Sequence, residues 1–569
     1  MAMAQSIAIL GTGSDVGKSV ITAGICRILS NHGVKVAPFK AQNMSNNAEP
    51  ALLPQRPGPS STSTRSRNAT HSQDNSNHDI SQFENEKDRG NGWGEIGSAQ
   101  ALQAQASRLL PRVEMNPVLL KSGGKRESDG AYLCNVIVLG KSLVVEDYGA
   151  LKARTGTLQN LVLEAHEQLQ KVTRAEVICI EGAGSCTELN LMDRDIVNLP
   201  LVRKLNCPWI LVANIDPGGV FAQIVGTKAC VTEKDWDLCV AVIVNRLRGE
   251  TKYFEPGPAI LEEMVGKPIF VVPFMYNINL PEEDGLGVER RLKKESHLTT
   301  TMEENSHNPR TAKDHRHSVI VIAYPHIAIT SDLTPLENDK AFDVQWRRNN
   351  IPNTSYPDIT AIILPGSKLT RSDLKWLKQS PWMSYIQNFV RKGGKILGLC
   401  GGYQILGEEV ADPKGIEGDA GTSVGLGLLP AQTTIEPADA KIIRPRRGIL
   451  YGSNVAVKGF ELHCGRTLLT KNENADEFLP LVSYSDCELY PTCKTTDGLT
   501  NGRVSGTYLH GLLTSRTLRR KLLLDSEALD FGNDDEKRDG EDDEEDPLDK
   551  FAAHLERSGL TFDKIMSYL

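Results

Sequence analysis

The stretch GTGSDVGKS, residues Gly11 to Ser19, determines how the first half of the chain is interpreted. It follows the apolar run Ser6–Leu10 and precedes a segment whose apolar residues recur at helical spacing. A strand, a glycine-rich turn and a helix in this order direct several backbone N–H groups towards one point, which is how proteins hold a phosphate group. The stretch therefore predicts a phosphate-binding loop in an α/β domain.

The common phosphate loop has the pattern G-x-x-x-x-G-K-S/T, and this chain departs from it at the first glycine. Thr12 stands at that position, and Gly11 lies one residue earlier. The functional end is kept, because Lys18 can neutralise phosphate charge and the Ser19 hydroxyl can ligate Mg²⁺. We expect a nucleotide to be bound by the loop residues Gly11, Thr12, Gly13, Gly17, Lys18 and Ser19.

Two polar residues end other predicted strands of the first half. Glu181 ends the run VICIE, and the following Gly182 and Gly184 allow the backbone to approach a ligand. We expect Glu181 to ligate the metal ion, the alternative being a solvated loop acid. Asn245 ends the run AVIVN, where its amide either reads the adenine edge or serves a turn.

Runs rich in β-branched residues recur between helical patterns in both halves of the chain. Such near-continuous apolar strands are buried on both faces, which is typical of a parallel sheet covered by helices. A chain of 569 residues is also too long for one ordinary core. We therefore predict an α/β protein of two domains. The runs are SIAIL, VKVAPFK, VICIEGAGS, WILVANID, LCVAVIVN and PIFVVPF, then SVIVIAYP, ITAIILPGS and KILGLC.

Three segments have the composition of disordered polypeptide and set the predicted boundaries. Residues 49–91 are rich in Ser, Asn, Pro and Arg, residues 295–316 are polar, and residues 533–547 are acidic. We interpret the first and third as surface insertions and the second as a linker. The predicted domains are therefore residues 1–294 and 317–569.

Charge and cysteine content favour a cytoplasmic enzyme. Ten acidic and two basic residues in Asp534–Asp546 account for the whole formal net charge of −8. The rest of the chain is neutral, which gives no support for nucleic acid or an anionic membrane as a partner. The eleven cysteines form no C-x-x-C pair, which argues against a zinc site or a disulfide framework. No apolar run reaches the length of a membrane span, and the first residues, MAMAQS, lack the features of a signal peptide.

In the second half, the stretch KILGLCGGYQILG indicates a cysteine nucleophile. Cys400 lies between a predicted strand and a predicted helix, with glycines on both sides that relieve crowding at a strained turn. The helix N-terminus favours the thiolate, and the N–H of Gly401 can face a developing oxyanion. A buried structural cysteine is the alternative, which the flanking glycines disfavour.

A thiolate nucleophile needs a base, and two histidines are candidates. His510 follows a strand-like run in VSGTYLHGLL, and His463 lies in GFELHCGRT. We favour His510 because of the family resemblance described next. In ILPGSK, Gly366 follows an apolar strand, and we expect it to donate the second N–H to the oxyanion.

The chain resembles the cobyric acid synthase family, which are glutamine-dependent amidotransferases of the cobalamin pathway. The resemblance extends over nearly all of the chain outside the three biased segments. Several of the motifs are specific to the family, although the phosphate loop alone is not. The motifs are GTGSDVGKS, PFKAQNMSNNA, GEIGSAQALQAQAS, MNPVLLK, NLMDRDIVNLPL, NIDPGGVFAQIVGT, LPGSK, LGLCGGYQILG, FELHCGRT and GTYLHG.

The resemblance implies a fold and a reaction. The first domain is expected to have the dethiobiotin-synthetase-like P-loop fold, and the second the class I glutamine amidotransferase fold with Cys400 as nucleophile and His510 as catalytic histidine. The family amidates the b, d, e and g carboxylates of adenosylcobyrinate a,c-diamide, a corrinoid, and uses one ATP and one glutamine for each. ATP converts the carboxylate to an acyl phosphate, which ammonia released from glutamine then attacks.

In this scheme Lys18, Ser19 and Glu181 hold ATP and Mg²⁺, and Lys40 of PFK contacts phosphate or the substrate carboxylate. Three positions depart from the patterns expected. Leu512 stands where class I glutaminases often have glutamate two residues after the histidine, so the third triad member is unassigned. Pro217 in NIDPGG stands where arginine is expected, and Thr330 in ITSDLTPL stands where asparagine is expected.

Other functions remain open from the sequence. A related amidotransferase has another carboxylate substrate, as in cobyrinate a,c-diamide synthase or the modification of peptidoglycan precursors, but AQNMSNN and NLMDRDIVN favour the corrinoid enzyme. A non-catalytic nucleotide-binding scaffold is the alternative of a different class. Retention of Lys18, Cys400 and His510 argues against it.

Overall fold

The computed structural model describes most of the chain outside the biased segments. The predicted linker lies outside the described residues except for Arg316. The described residues are 4–54, 92–125, 132–147, 155–276, 288–289, 291–292, 316–352, 359–470, 477–486, 495–524 and 546–569.

The first half alternates strands and helices, as the sequence predicts. The strands are β1 Gln5–Gly11, β2 Val36–Phe39, β3 Gln42–Met44, β4 Ala48–Leu52, β5 Trp93–Gly97, β6 Val118–Lys125, β7 Tyr132–Val138, β8 Lys141–Asp147, β9 Val177–Glu181, β10 Trp209–Asn214, β11 Cys239–Leu247 and β12 Ile269–Pro273. The helices are α1 Lys18–Asn31, α2 Ser98–Ala106, α3 Thr155–Thr173, α4 Leu199–Leu205, α5 Val220–Cys230, α6 Glu233–Asp237 and α7 Gly257–Val265.

Strands β12, β11, β10, β1, β9 and β2 form one sheet in that order, and every pairing between neighbours is parallel. Successive residues of β1 face opposite sides, so Ile7 and Ile9 join one buried cluster while Ala8 and Leu10 join the other. Burial on both faces explains why these strands are almost wholly apolar. Strand β1 is central, so its carboxyl end delivers the phosphate loop to the middle of the sheet edge.

The second half forms a further layered α/β unit. Its strands are β13 His317–Ile322, β14 Ile327–Ala328, β15 Phe342–Arg347, β16 Ala361–Leu364, β17 Gly366–Ser367, β18 Lys395–Leu399, β19 Glu409–Asp412, β20 Gly421–Val424, β21 Ala431–Ile435, β22 Ile442–Leu450, β23 Ala456–His463, β24 Gly465–Leu469, β25 Val482–Tyr484, β26 Thr496–Asp497, β27 Leu499–Thr500 and β28 Val504–Thr507. Its helices are α8 Thr334–Glu337, α9 Thr370–Gln379, α10 Trp382–Arg391, α11 Gly401–Leu406 and α12 Arg516–Leu523, and the chain continues into α13 Pro547–Arg557 and α14 Phe562–Met566.

The main sheet of this unit has the order β15, β13, β16, β18, β28, β27. All pairings are parallel except that of the edge strand β27 with β28. Strands β18 and β28 are neighbours, so the residues that follow them, Cys400 and the segment up to His510, leave the same edge of the sheet. The predicted α/β fold with two parallel sheets is confirmed.

A two-stranded ribbon of the first half, β4 with β5, reaches the second half. The two strands pair antiparallel, from Ala48 opposite Gly97 to Leu52 opposite Trp93. Ala48 packs in a small apolar cluster with Leu462 of β23. The sequence assigned residues from 49 onward to a disordered insertion, which is wrong for 49–52, because these residues complete the ribbon.

The last two helices pack against the first half. The apolar stripe of α13, including Leu548, Phe551 and Leu555, joins the same buried cluster as Ile21 and Ile25 of α1. The predicted division of the chain gave these helices to the second domain because they follow it in sequence. The amphipathic face of α13 instead covers the side of α1 that the first sheet leaves open.

One residue of the predicted acidic insertion has a structural role. Asp546 caps α13 by accepting a hydrogen bond from the N–H of Leu548, and it forms an ion pair of 2.9 Å with Arg27 on α1. An aspartate at this position stabilises a helix start. The predicted insertion of residues 533–547 therefore ends earlier than expected, and residues 525–545 lie outside the described part of the chain.

Replacing Leu555 by alanine should lower the free energy of unfolding by about 2–5 kcal/mol, because it removes a fully buried side chain from the contact between α13 and α1. Chemical denaturation followed by circular dichroism measures this change. The exposed neighbour Arg557 is the control, and Arg557→Ala should unfold at the wild-type midpoint. Equal midpoints for Leu555→Ala and wild type would show that α13 does not stabilise the first half.

Candidate active sites

The phosphate loop folds as a turn between β1 and α1. Lys18 is the first residue of α1, and its Nζ donates to the carbonyl oxygens of Gly13 at 2.8 Å and Gly184 at 2.9 Å. The loop therefore lies beside the segment that follows β9, and the ammonium group is held between the two. A cation in this position can reach the phosphates of a nucleotide bound by the loop.

Gly17 shows why the loop needs glycine at this point. Its φ is +97°, and a Cβ atom there would lie 2.2 Å from Nδ2 of Asn245. That same amide nitrogen donates to the carbonyl oxygen of Val16 at 2.9 Å. Asn245 therefore holds the phosphate loop from the neighbouring part of the sheet edge. Its role in reading adenine stays a prediction.

Glu181 is completely buried and accepts hydrogen bonds from four polar side chains on three elements. Its Oε1 accepts from the Ser19 hydroxyl at 2.7 Å and from Lys40 Nζ at 2.8 Å. Its Oε2 accepts from the amides of Gln100 at 3.1 Å and Gln103 at 2.5 Å on α2. The carboxylate thus connects the phosphate loop, the end of β2 and α2.

The predicted metal ligands lie together, because a serine hydroxyl and a carboxylate oxygen are 2.7 Å apart. Both are the hard oxygen donors that Mg²⁺ prefers, and Mg²⁺ usually completes its shell with water and phosphate oxygens. The residues therefore fit the ion. Among the described residues there is no group of three or more His, Cys, Asp or Glu side chains that could hold a metal without such help.

Cys400 occupies a strained turn between β18 and α11. Its φ of 50° and ψ of −105° are rarely adopted by a residue other than glycine. Gly402 permits this turn, since a Cβ atom there would lie 1.9 Å from the carbonyl oxygen of Leu364. The backbone N–H of Cys400 donates to Thr507 at 2.9 Å, which ties the elbow to the end of β28. This is the geometry of a nucleophile elbow.

His510 follows β28 and is fully buried beside the elbow. Its Nδ1 lies 2.7 Å from Oδ2 of Asp332, and the other oxygen of Asp332 accepts from the N–H of Gly511 at 2.8 Å. Its Nε2 is buried and has no hydrogen-bond partner among the described residues. Asp332 therefore fixes the ring orientation, and Nε2 is the nitrogen left for proton transfer.

The surroundings of His510 change its acidity. Burial by itself would lower the pKa of the imidazole, but the charge and hydrogen bond of Asp332, together with Cys400, raise this pKa to about 10. The ring is therefore an imidazolium at neutral pH. A cation beside the sulfur stabilises a thiolate, the reactive form of cysteine.

The two predicted oxyanion donors lie at this site. A Cβ atom at Gly366 would be 3.8 Å from Cε1 of His510, and one at Gly401 would be 2.6 Å from the backbone nitrogen of Ser367. The short strand β17 thus passes directly over the start of α11. Their donation to an oxyanion stays a prediction.

The rival base, His463, has different contacts. Its Nδ1 lies 2.8 Å from the carbonyl oxygen of Gly465, and its ring stacks on Tyr508 with centroids 3.7 Å apart. Its Nε2 is 4.0 Å from Oε1 of Glu461. Cys400 contributes to the raised pKa of His510, whereas the contacts of His463 are with Gly465, Tyr508 and Glu461. The geometry thus favours His510 as the base.

Known protein families match both halves of the chain. Residues 7–287 match the CobQ/CobB/MinD/ParA nucleotide binding domain, and residues 318–518 match the CobB/CobQ-like glutamine amidotransferase domain. A cobyric acid synthase of Chlorobium phaeobacteroides is 36% identical over 90% of this chain and 88% of its own. Those of Chlorobaculum tepidum and Bradyrhizobium diazoefficiens are 37% and 35% identical, over 90% and 98% of this chain and 89% and 98% of theirs.

The chain belongs to the cobyric acid synthase family. It is accordingly an enzyme, a glutamine-dependent amidotransferase that forms carbon–nitrogen bonds. No helix in the described part of the chain is long and apolar enough to cross a membrane.

Sequence reasoning missed several residues of the two sites. Asp332 lies beside His510, in the place that the sequence left unassigned, although the two residues are 178 positions apart in the chain. The only sequence signal was the stretch ITSDLTPL, in which it is the one acid. Gln100 and Gln103 lie in the motif SAQALQAQA. The pattern of this motif did not indicate that both amides face Glu181.

Besides Leu512, Thr330 and Pro217 depart from the expected patterns, and of these two Thr330 has a clear place in the structure. Thr330 is buried, and its N–H donates to Oδ1 of Asn47 at 3.4 Å. Pro217 is exposed in the loop between β10 and α5. Nothing in the structure explains the proline at that position.

Proposed function

We propose that the chain makes cobyric acid by amidating the b, d, e and g carboxylates of adenosylcobyrinate a,c-diamide. Each amidation consumes one ATP and one glutamine and passes through an acyl phosphate. The support is that relatives named cobyric acid synthase match the chain over nine-tenths of its length. The observation that carries the chemistry is the pairing of a strained Cys400 elbow with the buried His510–Asp332 pair.

Glutamine hydrolysis begins at Cys400. The thiolate attacks the side-chain amide carbon, and the oxygen of the resulting tetrahedral species is stabilised by backbone N–H groups of Gly366 and Gly401. The imidazolium of His510 gives its proton to the departing nitrogen, so that ammonia leaves and a thioester remains. His510, now neutral, accepts a proton from water, which attacks the thioester and releases glutamate and the thiolate. Asp332 keeps the ring oriented throughout.

The first half activates the carboxylate of the corrinoid. The loop residues Gly11, Thr12, Gly13 and Gly17 surround the phosphates of ATP, although the N–H of Thr12 itself donates to the carbonyl oxygen of Val212 at 3.0 Å. Lys18 neutralises the phosphate charge. Attack of the substrate carboxylate on the terminal phosphorus gives an acyl phosphate and ADP. Ammonia attacks the acyl carbon, and inorganic phosphate leaves with the bonding electron pair.

Three further side chains assist at this site. Ser19 and Glu181 would hold Mg²⁺, which draws charge away from the transferring phosphoryl group when bound. Lys40, whose ammonium is 2.8 Å from Glu181, lies at the end of β2 and can pair with phosphate or with the substrate carboxylate. In the absence of ATP the charges of Lys40 and Glu181 neutralise each other.

Purified protein incubated with the diamide, glutamine, ATP and Mg²⁺ tests the proposal. We expect mass spectrometry to detect four successive amidations, with one glutamate and one ADP formed for each. Omission of glutamine should stop the reaction, and an ammonium salt should restore it. Amidation of cobyrinate or of a peptidoglycan precursor in place of the diamide, or no turnover at all, would contradict the proposal.

A further inference from the structure

The β4–β5 ribbon of the first half lies against the catalytic histidine of the second. Ala48 of β4 packs in a cluster with Phe460, whose ring stacks on His510 with centroids 5.1 Å apart. Burial raises the pKa of Glu49 on the same strand to about 7, with contributions from Asp332, which raises it, and His510, which lowers it. The ribbon therefore belongs to the surroundings of the glutaminase site, although it is part of the other domain.

Asn47, the residue before β4, makes a specific contact there. Its Oδ1 accepts from the N–H of Ile329 at 2.7 Å, and it lies 3.4 Å from the N–H of Thr330. Ile329 has φ of +55°, a left-handed conformation that is costly for a β-branched residue. Asn47 is 5% exposed. A buried acceptor of this kind holds the turn in a conformation that its own sequence disfavours.

The turn held by Asn47 carries Asp332. Thr330–Leu333 form a short 3₁₀ turn that begins immediately after Ile329. The Asn47 side chain accepts from the N–H of Thr330, which begins the turn, and from the N–H of Ile329, which precedes it. Asp332 then reaches Nδ1 of His510 at 2.7 Å. The position of the carboxylate therefore depends on an acceptor from the other domain.

The same residue is connected to the nucleotide site. The carbonyl oxygen of Asn47 accepts from the N–H of Ser98, the first residue of α2, at 3.2 Å. Gln100 and Gln103 of that helix donate to Glu181, which also accepts from Ser19 of the phosphate loop. Hydrogen bonds thus join the phosphate loop to Asp332 through α2 and Asn47.

We propose that Asn47 is an interdomain positioning residue that holds Asp332 against His510, and that glutamine hydrolysis depends on the synthetase domain through it. The inference rests on the glutaminase chemistry proposed above. Its role is to place Asp332, since its side-chain oxygen accepts from the turn that carries this carboxylate. The charged groups that act on His510 are Asp332, Cys400 and Glu49.

The test replaces Asn47 by alanine in the full-length protein and measures glutamate release. We expect kcat for glutamine to fall about tenfold, with KM nearly unchanged, because coupling through a positioning residue changes rates by this order. The alkaline limb of kcat/KM should move to lower pH, since a displaced Asp332 supports the imidazolium less well. Amidation driven by an ammonium salt should keep the wild-type rate.

Two matched variants make the result specific. Asn47→Asp keeps an acceptor oxygen and should recover most of the lost rate. Asn31→Ala removes an exposed asparagine whose amide contacts Asp549, away from both sites, and should behave as wild type. Failure of the wild-type protein to hydrolyse glutamine would defeat the proposed function. A wild-type rate and pH profile for Asn47→Ala, or an equal loss of its ammonia-driven activity, would defeat only the present inference.

Discussion

Replacing Cys400 by alanine should reduce glutamine-dependent amidation at least about 10⁴-fold, because no other group at the elbow can form the thioester. Amidation driven by an ammonium salt should continue, since we propose that ATP activates the carboxylate around Lys18 and Glu181 in the other half. Product formation with each nitrogen source, measured in parallel by mass spectrometry, separates the two activities.

The matched control for this variant is Cys230→Ala, which removes an exposed cysteine on α5. It should retain both activities. Glutamine-dependent amidation that survives in Cys400→Ala would mean that another residue is the nucleophile. Loss of the ammonia-driven reaction in Cys400→Ala would mean that the two sites do not divide the chemistry as proposed.

Replacing Asp332 by asparagine should lower kcat/KM for glutamine by about 10³- to 10⁴-fold, the size of effect seen when the orienting carboxylate of a catalytic triad is neutralised. The reason is that Asp332 orients His510 and, together with Cys400, raises the pKa of its imidazole to about 10. An asparagine amide that donates to Nδ1 would leave the ring neutral and in the wrong tautomer.

The pH dependence follows from the direction of this shift. His510 must carry a proton to release ammonia, so activity is lost as the pH rises through the pKa of the imidazolium. We expect the alkaline limb of kcat/KM to lie near pH 10 in the wild type and to move to lower pH in Asp332→Asn.

Glutamate release measured across the pH range tests this, with Asp343→Asn on β15 as a carboxylate control that should keep the wild-type profile. An alkaline limb that does not move in Asp332→Asn would show that Asp332 does not govern the acidity of His510.

The sequence could predict those parts of the two sites whose backbone geometry requires particular residues close together in the chain. The phosphate loop needs glycine at position 17 because of its positive φ, and the elbow needs glycine at position 402 because of the nearby strand. Both requirements appear as short motifs. The buried parallel strands were also recognisable, since a run such as VICIE has few other structural interpretations.

The remaining features depend on contacts between distant segments. Asn47 meets Ile329 across 282 positions, and no periodicity or motif relates the two. The assignment of α13 failed for the same reason, because an amphipathic helix does not specify which exposed apolar face it will cover. Residues 49–52 form a strand only because β5, on the other side of the insertion, supplies its partner.

The docking of α13 on α1 has a consequence for synthesis of the chain. The helix that follows the phosphate loop packs its side at Gly24 against Phe551 and Leu555, which are encoded more than 500 codons later. During translation this apolar face has no covering partner until the ribosome has made residues 547–557. We expect the nascent first half to be prone to association through that face until then.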